Sequence, residues 1–220
     1  MKKVFYIFYK DFSSELRTRY ALNALIMFII VAISIILFSI GNEKAPENIF
    51  AGMFWVVVFF SAMSGLSRTF VSEEERGTTL ILSLIAHPTS ILLGKLLFNL
   101  VLIFFINTII AILYYTLFSD FVIRNFEMFL YAFVLGNIGI AASSTIIAAI
   151  ISKANAKGTL YPVLSFPVLL PLILMLIELT KFSVEGKPVS DASAEFLVLI
   201  SYDVIMITAS IMVFDIIWRD

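Results

Sequence analysis

The sequence predicts an all-α integral membrane protein, and three observations carry that prediction. Hydrophobic residues make up 61% of the chain, mean hydropathy is strongly positive, and six apolar stretches are each long enough to cross a bilayer. Soluble domains hold nearer half apolar residues, so this composition exceeds what one soluble core would bury. A hydrocarbon core of about 30 Å needs about 20 helical residues. The stretches 20–40, 49–70, 91–118, 127–151, 159–179 and 195–218 meet that length, and together they read as one transmembrane domain spanning 1–220.

Ahead of the first span, Val4, Phe5, Phe8, Phe12 and Leu16 fall on one side of a helix, with Lys3, Lys10 and Arg17 opposite. This pattern predicts an interfacial helix over 1–19, its apolar side in the headgroup boundary and its cations toward anionic lipid. The segment lacks an apolar core of signal-peptide length and a small-residue cleavage pattern, so it is expected to be retained.

An even number of spans places both chain ends on one side. Lys2, Lys3, Lys10, Arg17, Arg19, Arg68, Arg76, Lys95, Lys153, Lys157 and Arg219 share that side, against Lys44, Arg124, Lys181 and Lys187 opposite. Basic residues concentrate on the cytoplasmic side of membrane proteins. Both termini, segment 71–90 and the loop around Lys153 are therefore expected to be cytoplasmic, and loops 41–48, 119–126 and 180–194 to face outward.

The longest interruption between spans runs over residues 70–95, FVSEEERGTTLILSLIAHPTSILLGK. Three successive carboxylates, Glu73, Glu74 and Glu75, are too costly for hydrocarbon. Behind Arg76 and Gly77, residues Leu80, Ile81, Leu84 and Ile85 recur at helical spacing, which predicts a short amphipathic helix on the membrane face. Gly77 with Thr78 should break the incoming helix, and Pro88 should end the short one. Such a helix is a docking surface for a soluble partner or a solvated connector with an acidic cap.

In the fourth span Gly136, Gly139, Ala141, Ala142, Ser143 and Ser144 let neighbouring helices approach closely. The fifth holds Pro162, Pro167 and Pro171, each removing a backbone donor. In the sixth, Asp203 is an intramembrane carboxylate that should face protein or water.

Several kinds of chemistry are excluded. The net charge of −1 comes with no basic stripe, which argues against nucleic acid. With no Cys and a single His, His87, the usual zinc clusters and Ser–His–carboxylate catalysis are not available. Neither Gly94-Lys95 nor Gly186-Lys187 sits in a phosphate-binding loop, so the chain is not expected to hydrolyse ATP or to be an enzyme.

The run Glu73-Glu74-Glu75-Arg76-Gly77-Thr78, followed by Pro88 and Gly94-Lys95, resembles the coupling segment of ABC-2 type (type V) exporter permeases. Lys10-Asp11, Glu15-Leu16-Arg17-Thr18-Arg19, Trp55, Ser61 and Gly65-Leu66-Ser67-Arg68-Thr69-Phe70 resemble the heme exporter protein B family in particular. So do the proline-rich fifth span and Tyr202-Asp203 with Phe214-Asp215, so that the resemblance covers essentially the whole chain. Related permeases commonly carry a further Glu inside the coupling helix and an earlier Pro, which residues 79–86 and Pro88 do not reproduce.

The resemblance implies a six-span permease of the bacterial inner membrane, paired with a separate ATP-binding cassette subunit and other membrane subunits of the cytochrome c maturation complex. Heme would be the cargo and not a cofactor held by this chain. Coupling would fall to Glu73, Glu74, Glu75, Arg76, Gly77, Leu80, Ile81, Leu84 and Ile85, with the three carboxylates turned toward basic residues of the ATPase, and a homodimer would match a two-site ATPase. Two other readings share the architecture: an export permease for a different lipid-like or drug-like substrate, and a non-transporting scaffold remodelled by an ATPase.

Overall fold

The structure is a computed structural model and describes residues 2–18, 20–41, 46–153 and 157–219. Arg19 and Lys44, two cations of the charge argument, lie outside the described residues, as does most of loop 41–48. Among the described residues the only regular elements are helices: α1 (Lys2–Thr18), α2 (Tyr20–Ile40), α3 (Glu47–Leu66), α4 (Val71–Glu75), α5 (Thr79–Ile85), α6 (Pro88–Leu117), α7 (Phe126–Ser152), α8 (Lys157–Glu185) and α9 (Ser193–Arg219), with a 3-10 turn at Val189–Ala192. Six candidate spans follow from length and hydropathy, containing α2, α3, α6, α7, α8 and α9.

The bundle is built around α7. Its most apolar stretch is 78% buried, against 17% for the corresponding stretches of α2 and α9. The cause is the small-residue run in its middle. A methyl group on Gly136 would meet Leu176 of α8 at 2.9 Å and Trp55 of α3 at 3.0 Å, so both neighbours pack at contact distance only because no side chain intervenes. In hydrocarbon, helix association relies on such packing and on interhelical hydrogen bonds. Trp55 Nε1 donates to Thr180 Oγ1 at 2.7 Å, and Asn107 Nδ2 donates to Asn137 Oδ1 at 2.8 Å. Tyr202 donates its only proton to the Val168 carbonyl at 2.9 Å. Ser143 is therefore the donor in its 2.8 Å contact with Tyr202.

Two helix ends differ from the expected span limits. The second candidate span runs on to Glu75, but its helix α3 stops at Leu66. Residues 67–70 form a turn in which Thr69 Oγ1 bonds the Leu66 carbonyl at 2.8 Å. A hydroxyl competing for that carbonyl offers the backbone an alternative to the helix. The fifth span was expected to end at 179, but α8 continues to Glu185. Its stop is Gly186, at φ +77°, where the Lys187 N–H returns to the Phe182 carbonyl at 3.0 Å. The charges of Glu178 and Lys181 mark an apolar limit, whereas the glycine marks the helix end. Pro162, Pro167 and Pro171 all lie inside α8 without splitting it.

Candidate functional site

The site lies between α3 and α6, where the chain leaves the apolar bundle and returns. Gly77, at φ +66°, takes the left-handed conformation that a side chain disfavours. It turns α4 into α5: the Gly77 N–H bonds the Glu74 carbonyl at 3.1 Å, and the Thr78 N–H bonds the Glu73 carbonyl at 3.0 Å. Thr79 Oγ1 adds a bond to Glu74 Oε2 at 2.7 Å. The expected role of Pro88 requires correction. α5 ends at Ile85, Ala86 is extended, and Pro88 occupies the first turn of α6 with His87 at its N-cap. Proline suits a first turn because its missing N–H would have no partner there, and it disfavours helix in the residue before it.

No residue of α5 is buried. Leu80 is 76% exposed and Leu84 87%, with Ile81 and Ile85 also exposed. Four large apolar side chains on a helix of 7 residues thus have no partner face among the described residues. Clustered exposure of this kind marks an interaction surface.

Beneath α5 is a buried ion cluster. Lys95, about two turns into α6, is only 1% exposed. Its ammonium bonds Asp11 Oδ2 of α1 at 3.1 Å, the Thr69 carbonyl at 2.9 Å and Glu73 Oε1 of α4 at 3.2 Å, and it lies 5.2 Å from the centre of the Phe70 ring. Lys10 also bonds Glu73 and lies 3.1 Å from Asp11. Thr78 donates to the second oxygen of Glu73. Two cations and two carboxylates therefore balance, and the ammonium of Lys95 has an acceptor for each of its three protons. Burial alone would lower the pKa of Lys10, but Asp11 and Glu73 outweigh it and hold the value above 10.5.

This geometry corrects the expected role of the acidic run. Glu73 is buried and faces Lys95, Lys10 and Thr78 of its own chain, so it is not presented to a partner. Buried carboxylates need cationic partners, and position 73 is the one that the turn of α4 aims inward. Glu75 remains outside, paired with Arg68 at 3.2 Å, and Arg76 is exposed.

The cluster reaches α1 at both ends of the coupling segment. Lys3 Nζ bonds the Ile85 carbonyl, the last of α5, at 2.7 Å. α1 can lie along the first half of α6 because position 94 is glycine: a methyl group there would stand 2.8 Å from Ile7 Cβ and 3.0 Å from the Val4 carbonyl. Toward the bundle, the single Thr69 hydroxyl proton, shared with the Leu66 carbonyl, also faces Asn99 Oδ1 at 3.0 Å, and Asn99 Nδ2 donates to Thr145 Oγ1 of α7 at 2.8 Å. A continuous polar path thus joins segment 71–90 to the central helix.

Asp203 is remote from this cluster. It is 5% exposed and faces α7 and not the outer surface of α9, where a methyl group on Gly139 would stand 2.5 Å from its Oδ1. Among the described residues neither carboxyl oxygen has a hydrogen-bond partner.

The model of the CcmB protein family matches residues 2–216. The chain belongs to that family. Among curated proteins none matches it. Membership in the CcmB family, the heme exporter protein B family, makes this a multi-pass inner-membrane protein of heme export in cytochrome c maturation. It is a permease component of an ABC-type exporter and not an enzyme. The sequence pattern marks segment 71–90 but gives no sign that Lys10 and Lys95 meet Glu73 and Asp11. Each looked like an ordinary flanking charge, and the contacts span 84 and 22 residues.

Proposed function

We propose that this CcmB-family chain is the membrane half of a heme exporter driven by a separate ATP-binding subunit, with α5 as the seat for that subunit. The observation that carries this reading is the pairing of opposites in one segment. The apolar face of α5 is exposed, while its stem is fixed by the buried cluster of Glu73, Lys95, Asp11 and Lys10. A dock that transmits force must be unpartnered outside and rigid at its base. The basic flanks support a cytoplasmic side for α5 and both termini, the side on which ATP is available. Closing a two-site ATPase calls for two copies of the permease, related by a two-fold axis.

In this scheme the ATPase moves α5, and α4 passes the displacement through Lys95 to α6 and through Thr69 and Asn99 to α7. The chain supplies the moving bundle and no hydrolytic group. The test is Leu84→Asp. A carboxylate in the middle of the apolar seat should cost at least about 2 kcal/mol of association, the scale of an interface hot spot, and should abolish copurification of the ATPase while leaving the permease in the membrane. Full-stoichiometry copurification of that variant would remove α5 as the dock.

A further inference from the structure

We infer that Asp203 is an intramembrane proton-binding site: its carboxyl carries a proton while α9 is seated on Gly139 of α7, and releases it when α9 leaves that seat. The inference uses no residue of α5 and stands apart from the reading of that helix as a dock.

Asp203 is midway along the last candidate span, Val189–Trp218, 14 residues from one end and 15 from the other. Its side chain is turned into the bundle, whereas the next two residues, Val204 and Ile205, are exposed. A methyl group on Gly139 would stand 2.5 Å from Asp203 Oδ1 and 2.9 Å from Leu172 of α8, so the carboxyl is wedged against the bare backbone of α7 beside a leucine. Tyr202 fixes its depth, because that hydroxyl is tied to the Val168 carbonyl of α8 and to Ser143 of α7. The same two bonds leave Tyr202 no proton to give Asp203.

A buried carboxylate needs a cation or several donors. Asp203 has neither, since both oxygens lack a hydrogen-bond partner among the described residues. Titratable groups on the helices packed against α9 are committed elsewhere. Lys95 of α6 is held by Asp11 and Glu73, Lys181 of α8 is paired with Glu178, and the Tyr161 hydroxyl of α8 donates to the Ser144 carbonyl. Tyr114 of α6 stands among the rings of Phe54, Phe118 and Phe121. Glu127 of α7 precedes Gly139 by about 18 Å of helix, and on α9 itself Glu195 and Asp215 are about 12 and 18 Å away along the axis. The form this site can hold is therefore the neutral acid, which needs no counter-ion.

The seat is part of the site, because the α7–α9 contact is what keeps the carboxyl among carbon and backbone. α9 is also lightly held, with 17% of its most apolar stretch buried. Moving it off α7 would give the carboxyl water or a cation and let the proton go. By linkage, binding the proton favours the seated form and raising the pH works against it.

The experiment uses the full chain in phosphatidylcholine vesicles, its aspartates labelled with carbon-13 at the side-chain carboxyl, and infrared spectra taken across a pH series. Neutral acids and carboxylates absorb at separate frequencies, and the label shifts only aspartate bands. At neutral pH the wild-type chain should show a labelled neutral-acid band that Asp203→Asn lacks. Asp203→Glu keeps a carboxyl but carries no label, so it makes the same assignment if the Asn variant does not fold. Gly139→Ala, which pushes Asp203 off α7, should weaken proton binding about tenfold, read as a lower pH for the change from acid to carboxylate. In the wild type the thermal unfolding midpoint should fall as the pH is raised through that change. The proposal is overturned by carboxylate bands alone from the wild-type aspartates at neutral pH, by a labelled acid band that persists when Asp203 is replaced, by a titration unmoved in folded Gly139→Ala, or by a thermal midpoint that stays level through the titration.

Discussion

Lys95 Nζ lies 3.1 Å from Asp11 Oδ2, so a cation carried by the third candidate span is neutralised by the N-terminal helix and not by its own neighbours. Removing one partner from a buried ion pair leaves the other charged and uncompensated, at a cost of about 3–5 kcal/mol. Lys95→Met should therefore destabilise the purified protein on that scale, read as loss of the denaturant midpoint in detergent. Adding Glu73→Gln should recover part of the loss, because the double change removes a stranded charge. A strictly additive double variant would show that the two groups act independently.

The acidic run should divide by burial. Glu73→Gln removes a carboxylate bound to Lys95, Lys10 and Thr78 and should weaken both stability and ATPase coupling. Glu75→Gln breaks a pair whose side chains are 66% and 53% exposed, and exposed pairs contribute about 0–1 kcal/mol. Parallel thermal unfolding of the two variants, with ATPase assays of the complex, checks the contrast. Equal effects would mean that Glu73 is not buried in the assembled protein.

The spans were legible because hydrophobic length is a direct physical requirement of the bilayer, and the short helix α5 was legible from the spacing of Leu80, Ile81, Leu84 and Ile85. Pro88 was misassigned because the same residue both terminates helices and opens them. The extended Ala86 and His87 distinguish the two uses. The ion cluster left no local signal: Lys95 follows Gly94 at a span end and has the appearance of a snorkelling cation. Its partners come from α1 and α4, and their convergence depends on Gly94 admitting α1 to the side of α6.

That dependence predicts the effect of Gly94→Ala. The new methyl would meet a side chain, Ile7, and a backbone carbonyl, that of Val4. The first can shift, but the second moves only with the helix. Overpacking of this kind costs about 1–3 kcal/mol. The expected readout is faster proteolysis within residues 2–18 while the spans stay protected. Ile7→Ala in the same chain should restore protection only in part, since the carbonyl contact remains.

Gly139 and Asp203 form a second close pair. Gly139→Ala places carbon 2.5 Å from Asp203 Oδ1 and should lower stability by about 1–3 kcal/mol, and Asp203→Ala should relieve it. Asp203→Asn keeps the shape and should fold normally. Cytochrome c output at the normal level in that variant would give Asp203 a structural role only, and a loss of output in a folded protein would give it a functional one.

Heme iron is commonly held by His, Cys, Met or Tyr, and this chain contains no Cys and one His. His87 is the N-cap residue of α6, two residues past the end of α5, and its Nδ1 lies 3.4 Å from Thr89 Oγ1. It therefore stands beside the seat proposed for the ATPase and, on the topology proposed from the basic flanks, on the side of the membrane away from where c-type cytochromes mature. A residue there can affect docking but has no route to an iron held at the far face. The expected outcome for His87→Ala is that the assembled complex keeps its heme absorbance bands and midpoint potential, with any defect confined to ATPase coupling. Loss of a low-spin heme signal from an otherwise intact complex would instead make His87 an iron ligand, and would place α5 and heme on the same side of the membrane.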